Sequence, residues 1–168
     1  MKKFIPTEYN PINKFFFDTE FVIHGDRVIP VSIGVISESG NAYYAELDTD
    51  WERYAEQWVL QNVKPHLEGA PKPIEVVRRE LTEYTGSMPS QFWAYFASTD
   101  WVVMCTIMGS LKELPPTWQP FVMDLAWLNA TLERIRAVPF HNLKPHHALW
   151  DARELRKRYE AITQGETR

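Results

Sequence analysis

A chain of 168 residues with 45% hydrophobic and 24% charged residues suits one domain, residues 1–168, with a real apolar core. A net charge of -4 and a pI near 5.7 exclude a global basic field, so a polyanionic partner would need a local patch or bound cations. The single Cys105 excludes an intrachain disulfide and fits a reducing compartment; no apolar run reaches the length of a membrane span, and the two N-terminal lysines lead into no secretory h-region.

The first third reads as strands. "KFFFDTEF" (14–21) is the first and "HGDR" (24–27) a turn. "VIPVSIGVIS" (28–37) is a long β-branched run, "ESGN" (38–41) a second turn and "AYYAEL" (42–47) a third strand. Short turns make these an antiparallel meander. "DWERYAEQWVLQNV" (50–63) is then expected as one helix opened by Asp50 or Thr49. "PIEVVRRELTEYTG" (73–86) is a second helix, with Pro73 near its first turn and Gly86 past its end. "QFWAYFA" (91–97) is a strand, and "STDWVVMCTIMGSL" (98–111) a helix capped by Ser98 or Thr99. "PFVMD" (120–124) is a short strand, followed by helices at "LAWLNATLERI" (125–135) and "HALWDARELRKRYEAI" (147–162). The order implies an α/β fold: a mixed five-stranded sheet, a three-strand meander plus two further strands, flanked by helices.

Four acids raise questions of placement. Strand alternation puts Phe15, Phe17, Thr19 and Phe21 on one face and Phe16, Asp18 and Glu20 on the other. The two carboxylates then lie about 6.6 Å apart along the strand. Either they meet water at a strand end, or they share a cation that compensates their repulsion. On the last helix, Ala148, Ala152, Leu155, Tyr159 and Ile162 form an apolar stripe, and Asp151 lies on the same side; Arg153, Glu154, Arg156 and Lys157 make the outer face. Asp151 asks for a partner, an arginine such as Arg78 or Arg153 or a metal. Asp100 opens a helix straight after a strand, where the helix dipole favours an acid and where open α/β sheets place ligands. His146 and His147 precede the last helix, and an imidazole there suits proton transfer near neutrality. A zinc site built from His141, His146 and His147 has no thiol cluster or HExxH pattern to support it. The stripe Trp101, Met104, Cys105 and Met108 reads as a packed helix face.

Taken in order, "FDTEF", "STDWVV" and "HHALWDA" resemble the DEDDh family of 3′–5′ exonucleases, over roughly residues 14 to 160. The matching positions are Asp18–Thr19–Glu20, then Asp100, then His146 and Asp151 with four residues between them. The resemblance implies a ribonuclease H-like fold and is nearest to small, stand-alone ribonuclease T-like exoribonucleases of bacteria or phages, which would act in the cytoplasm. It further implies two divalent metal ions, Mg²⁺ or Mn²⁺, held by Asp18, Glu20 and Asp151, with Asp18 bridging and Asp100 supporting the pair. By the same resemblance His146 is the general base, Thr19 and Phe21 touch the substrate, and the partner is nucleic acid, RNA with a free 3′ end, with a homodimer allowed. Phe21 is open to two readings, contact with the terminal base or core packing with Phe15 and Phe17. Lys144, Arg153, Arg156, Lys157 and Arg158 are either a basic strip for the strand or a solvated helix face. Trp150 is bulkier than the family pattern, and the tandem His146–His147 leaves the choice of histidine to spacing. A DNA exonuclease and a non-catalytic nucleic-acid-binding module are the alternatives, because nothing in the sequence ties a residue to a 2′-hydroxyl.

Overall fold

The computed structural model describes residues 12–131 and 144–163. Strand β1 (Asn13–His24) turns through Gly25 and Asp26 into β2 (Arg27–Ser37), and β3 (Ala42–Glu46) completes the antiparallel meander. Gly25 has φ +61°, a turn conformation that costs glycine little. Then follow α1 (Trp51–Tyr54), α2 (Gln57–Asn62), α3 (Ile74–Thr85), β4 (Ser90–Ala94), α4 (Ser98–Met108), β5 (Trp118–Asp124), α5 (Leu125–Thr131) and α6 (Ala148–Thr163). Strands β4 and β5 run parallel to β1, and the sheet order is β3-β2-β1-β4-β5. This is the expected mixed five-stranded sheet. No helix among the described residues is long and apolar enough to cross a membrane.

The alternation of β1 sorts its side chains as expected. Phe15 and Phe17 belong to the larger core, with Val77 and Leu81 of α3 and Met104 and Ile107 of α4. Phe16 faces the other way, into Trp93, Leu125 and the α6 stripe of Ala152, Leu155, Tyr159 and Ile162. A third cluster closes the hairpin end, where Val22, Ile29 and Val31 meet Trp51 and Val63. Fully burying one such apolar side chain contributes about 1.5–3 kcal/mol, so Phe16 and Phe17 anchor the strand between two layers. The register between β1 and β2 slips directly after Glu20: Glu20 pairs with Ser32, but Phe21 pairs with Pro30. Val31 is the extra residue of this bulge, which tolerates a proline inside a central strand and re-aims the chain beside the carboxylates.

Several sequence expectations are corrected. The helix expected over 50–63 is two pieces, because Ala55 and Glu56 are extended; both pieces pack on the third cluster. Asp50 occupies the N-cap position but makes no capping hydrogen bond, while the Thr49 hydroxyl donates to the Pro30 carbonyl at 2.8 Å. Neither Ser98 nor Thr99 caps α4. Ala97 holds that position, and the backbone ahead of the helix is tied by Asp124, whose carboxylate accepts the Phe96 and Ala97 N–H groups, each at 3.2 Å. Strand β4 stops at Ala94, short of the expected 97. Glu154, placed on the outer face of the last helix, is buried, as is Arg158, which lies over the Tyr95 ring. The helix expected over 125–135 is seen from Leu125 to Thr131; its remainder and His141 lie outside the described residues.

Candidate active site

The site forms where α6 crosses the sheet. Asp18 pairs across the ladder with Gly34 of β2, and Gly34 is the floor on which the helix lands. A Cβ there would stand 2.2 Å from the Leu149 backbone nitrogen and 2.3 Å from its Cα. Only glycine lets the first turn of α6 lie this close to the strand. That turn carries Asp151, whose N–H donates to the His147 carbonyl at 3.1 Å. Asp151 thereby joins Asp18 and Glu20, and the ligand oxygens of the three all lie within 4.8 Å of one another.

Three carboxylates this close repel one another. Burial, then the charges of Asp100, Glu20 and Asp151, push the Asp18 carboxyl well above the usual carboxylate range. Burial, then Asp151 and Asp100, push Glu20 up to about 8. An all-oxygen donor set with this spacing fits a hard divalent cation, for which oxygens sit about 2.0–2.6 Å from the metal. The donor chemistry and the crowding of the three acids therefore both point to divalent metal use.

Asp100 is held beside this trio rather than within it. It is 8% exposed, and its Oδ1 accepts the Thr19 N–H at 3.0 Å and the Thr19 hydroxyl at 2.6 Å. Burial raises its carboxyl to about 6 against the downward pull of the Thr19 bonds, with Asp124 adding a further rise. Thr19 points away from the carboxylate face of β1, so one strand supplies two of the converging acids and the tie that fixes Asp100. Phe21 is half-buried against the larger core.

His146 sits ahead of α6 with φ +64°, a left-handed conformation uncommon outside glycine, and its ring meets Trp58 of α2 edge-on at 4.9 Å. It is not among the groups converging within 4.8 Å. His147 is 4% exposed and stacks on Tyr44 at 4.5 Å; burial lowers its pKa. The two arginines considered as partners of Asp151 are placed elsewhere: Arg78 donates to the Ile107 carbonyl and Arg153 lies over Trp150. The basic strip is largely engaged within the fold. Arg156 pairs with Glu160, Lys157 approaches Glu154, and Lys144 and Arg153 both flank the Trp150 ring.

Sequence reasoning passed over Gly34, Asp124 and Trp58. Each carried some signal: a glycine inside a β-branched run, an aspartate between a strand and a helix, a tryptophan beside glutamines on an expected helix.

Residues 13–163 match the model of the Rv2179c-like 3′-5′ exoribonuclease domain. The 3′-5′ exoribonuclease Rv2179c of Mycobacterium tuberculosis (strain ATCC 25618 / H37Rv) is 32% identical over 160 residues, covering 89% of this chain and 93% of that protein. Among solved structures, E. coli exonuclease I in complex with a dT13 oligonucleotide superposes with a TM-score of 0.66 at 12% identity, covering 92% of this chain and 42% of that one. Exonuclease I from Methylocaldum szegediense gives a TM-score of 0.65 at 12% identity, covering 93% and 42%. The chain thus spans about four-tenths of those exonucleases, and the likeness to them is one of fold. The DEDD-type reading and the ribonuclease H-like sheet are borne out. With most of its length matched and its acids converging where α6 meets β1, the chain belongs to the Rv2179c-like 3′-5′ exoribonuclease domain family.

Proposed function

We propose that this exoribonuclease removes nucleoside 5′-monophosphates one at a time from the 3′ end of single-stranded or overhanging RNA, using two divalent cations, Mg²⁺ or Mn²⁺. The observation that carries the reading is the convergence of Asp18, Glu20 and Asp151 within 4.8 Å, where burial and then the neighbouring carboxylates push the Asp18 and Glu20 carboxyls upward. Asp18, Glu20 and Asp151 would hold the cations, and Asp100, fixed by Thr19, would support the pair directly or through water. Two bound cations would supply a hydrolytic nucleophile at neutral pH and a clamp on the attacking and leaving oxygens. His146 accepts the proton of the attacking water as its oxygen bonds to phosphorus; the bond from phosphorus to the 3′ oxygen breaks, and that oxygen takes a proton from a solvent water as it leaves. Thr19 acts on the substrate through Asp100, since its hydroxyl and N–H are both given to that acid. Phe21, next to Glu20, packs only partly against the larger core, and its exposed part is assigned to the terminal base.

RNA is favoured over DNA by the name of the mycobacterial relative, and a homodimer by the resemblance to small exoribonucleases. The test is a 5′-labelled RNA incubated with Mg²⁺ or Mn²⁺, which should shorten as a single-nucleotide ladder with 5′-monophosphates as product. Protein inert on both RNA and DNA with both metals sinks the reading. Faster cleavage of a matched DNA strand makes it a DNA exonuclease. Tight binding without turnover, unchanged in His146→Ala, makes it a binding module. Sedimentation at micromolar protein decides the dimer.

A further inference from the structure

We infer that His146 is held in its left-handed position by a two-point clamp, and that Tyr44, Glu46, Glu68 and Lys144 are positioning residues for it. This rests on His146 serving as the general base. The observation is a chain of contacts that begins at one buried carboxylate and ends on both sides of His146. Glu46, 5% exposed at the end of β3, accepts three hydrogen bonds through one oxygen: from the Tyr44 hydroxyl at 3.0 Å and from the Glu68 and Gly69 N–H groups at 2.6 Å each. Tyr44 then stacks its ring on His147, at 4.5 Å and an interplanar angle of 24°. The Glu68 side chain pairs with Lys144. Lys144 and His147 bracket Pro145 and His146, so both sides of the histidine are tied to a single anchor.

Chemistry explains why ties are needed here. Residues 144–147 precede the helix and lack a regular hydrogen-bond ladder of their own. A left-handed non-glycine residue is strained and persists only where the surroundings over-determine it. His147 Nδ1 is buried with no hydrogen-bond partner among the described residues, and the stack on Tyr44 helps to seat that ring. The His147 carbonyl accepts the N–H groups of Trp150 at 2.8 Å and Asp151 at 3.1 Å, so the same seat starts the turn that carries Asp151. A general base misplaced by about 1 Å loses roughly 100-fold in rate, which gives such a clamp a function.

The experiment compares wild type with Tyr44→Leu, Lys144→Met and the double variant, with Tyr44→Phe and Lys144→Arg as conservative controls. Two readouts are taken: the ¹⁵N order parameter of the His146 amide, and kcat and KM on a short RNA. The clamp predicts an order parameter near that of α6 in wild type, falling below about 0.6 in the double variant. It predicts kcat lowered about 10- to 100-fold with KM within about twofold, recovery in Lys144→Arg, which keeps the ion pair, and only partial recovery in Tyr44→Phe, which keeps the stack but loses the bond to Glu46. In a His146→Asn background the Tyr44→Leu change should cost no further activity. An unchanged order parameter in the double variant overturns the clamp. Lost order with full turnover, or an equal loss in the His146→Asn background, overturns its role in the reaction. If the wild type cleaves nothing, the proposed function fails on that result, and the order parameter still decides the clamp.

Discussion

Glu20 and Glu46 stand on one cross-strand row, each paired with Ser32 of the strand between them, and therefore face the same side of the sheet. Their surroundings differ sharply. Glu46 receives a tyrosine hydroxyl and two backbone N–H groups. Glu20 receives no side-chain or backbone donor among the described residues and has Asp18 and Asp151 within 4.8 Å instead. Two strands apart, the fold gives one carboxylate three donors and crowds the other with its own kind. Where donors are supplied, the acid is scaffold. Where they are withheld, the cost of the charge is left for a cation to offset.

The largest break in this contrast is Asp18→Asn. It replaces one carboxylate oxygen of the converging trio by an NH2 group and removes the charge, and should lower turnover about 10³-fold, several kcal/mol of transition-state stabilisation, while raising the melting temperature of metal-free protein. Single-turnover assays and calorimetry check both halves; an asparagine variant with full activity would remove Asp18 from the site. Next comes Gly34→Ala. A methyl 2.2 Å from the Leu149 nitrogen must push α6 off the sheet and carry Asp151 away from Asp18. We expect a loss of roughly 3 kcal/mol or more, beyond ordinary overpacking, together with loss of Mn²⁺ binding by titration calorimetry.

The two acids of the row were not equally legible in the sequence. Strand alternation alone put Asp18 and Glu20 on one face, and the helical stripe put Asp151 on the inner face of α6, because both patterns are local and periodic. Gly34 matters only because a helix more than a hundred residues later crosses it, and no local pattern records that crossing. The anchor at Glu46 draws its donors from Glu68 and Gly69, more than twenty residues on. The burial of Glu154 defeated the helical wheel, and Arg158, a candidate for the basic strip, is buried over Tyr95, a residue from outside its helix. Periodicity located the faces of the sheet and helix, and tertiary contact decided what each polar group on those faces could reach.

Glu46→Ala sharpens the comparison from the other side. It strands two backbone N–H groups and the Tyr44 hydroxyl, and should cost about 2–3 kcal/mol of stability by urea unfolding, leaving the Mn²⁺ stoichiometry at Asp18, Glu20 and Asp151 as it was. A variant as stable as wild type would show that Glu46 is not the scaffold acid its bonds imply.

A smaller effect follows from titration. Folding raises Glu20 from 4.5 to about 8 and Asp100 from 3.8 to about 6. The folded state then holds protons that the unfolded state has released, so its stability is complete below about pH 4 and declines as pH rises toward 8. Metal-free protein should melt several degrees lower at pH 8 than at pH 5, at about 2–4 °C per kcal/mol. Saturating Mg²⁺ or Mn²⁺ should raise the melting temperature more at pH 8 than at pH 5, because cations bind the deprotonated acids. Equal metal-induced shifts at the two pH values would place the metal elsewhere.

The smallest expected change is Thr19→Val, which tests whether the second face of β1 serves the first. Valine keeps the β-branched shape and the backbone N–H but deletes the 2.6 Å hydroxyl bond to Asp100. A charge-assisted bond of this kind contributes about 1.5–3 kcal/mol when buried, part of which the remaining N–H bond at 3.0 Å retains. Because the Thr19 bonds hold the Asp100 carboxyl down against burial, its pKa should rise from about 6. The acid limb of the activity profile should then move to higher pH, with activity at pH 8 reduced less than activity at pH 6. A uniform loss at every pH would mean that Thr19 packs the strand without tuning Asp100. A shifted limb would show that a buried residue on the core face sets the protonation of an acid serving the opposite one.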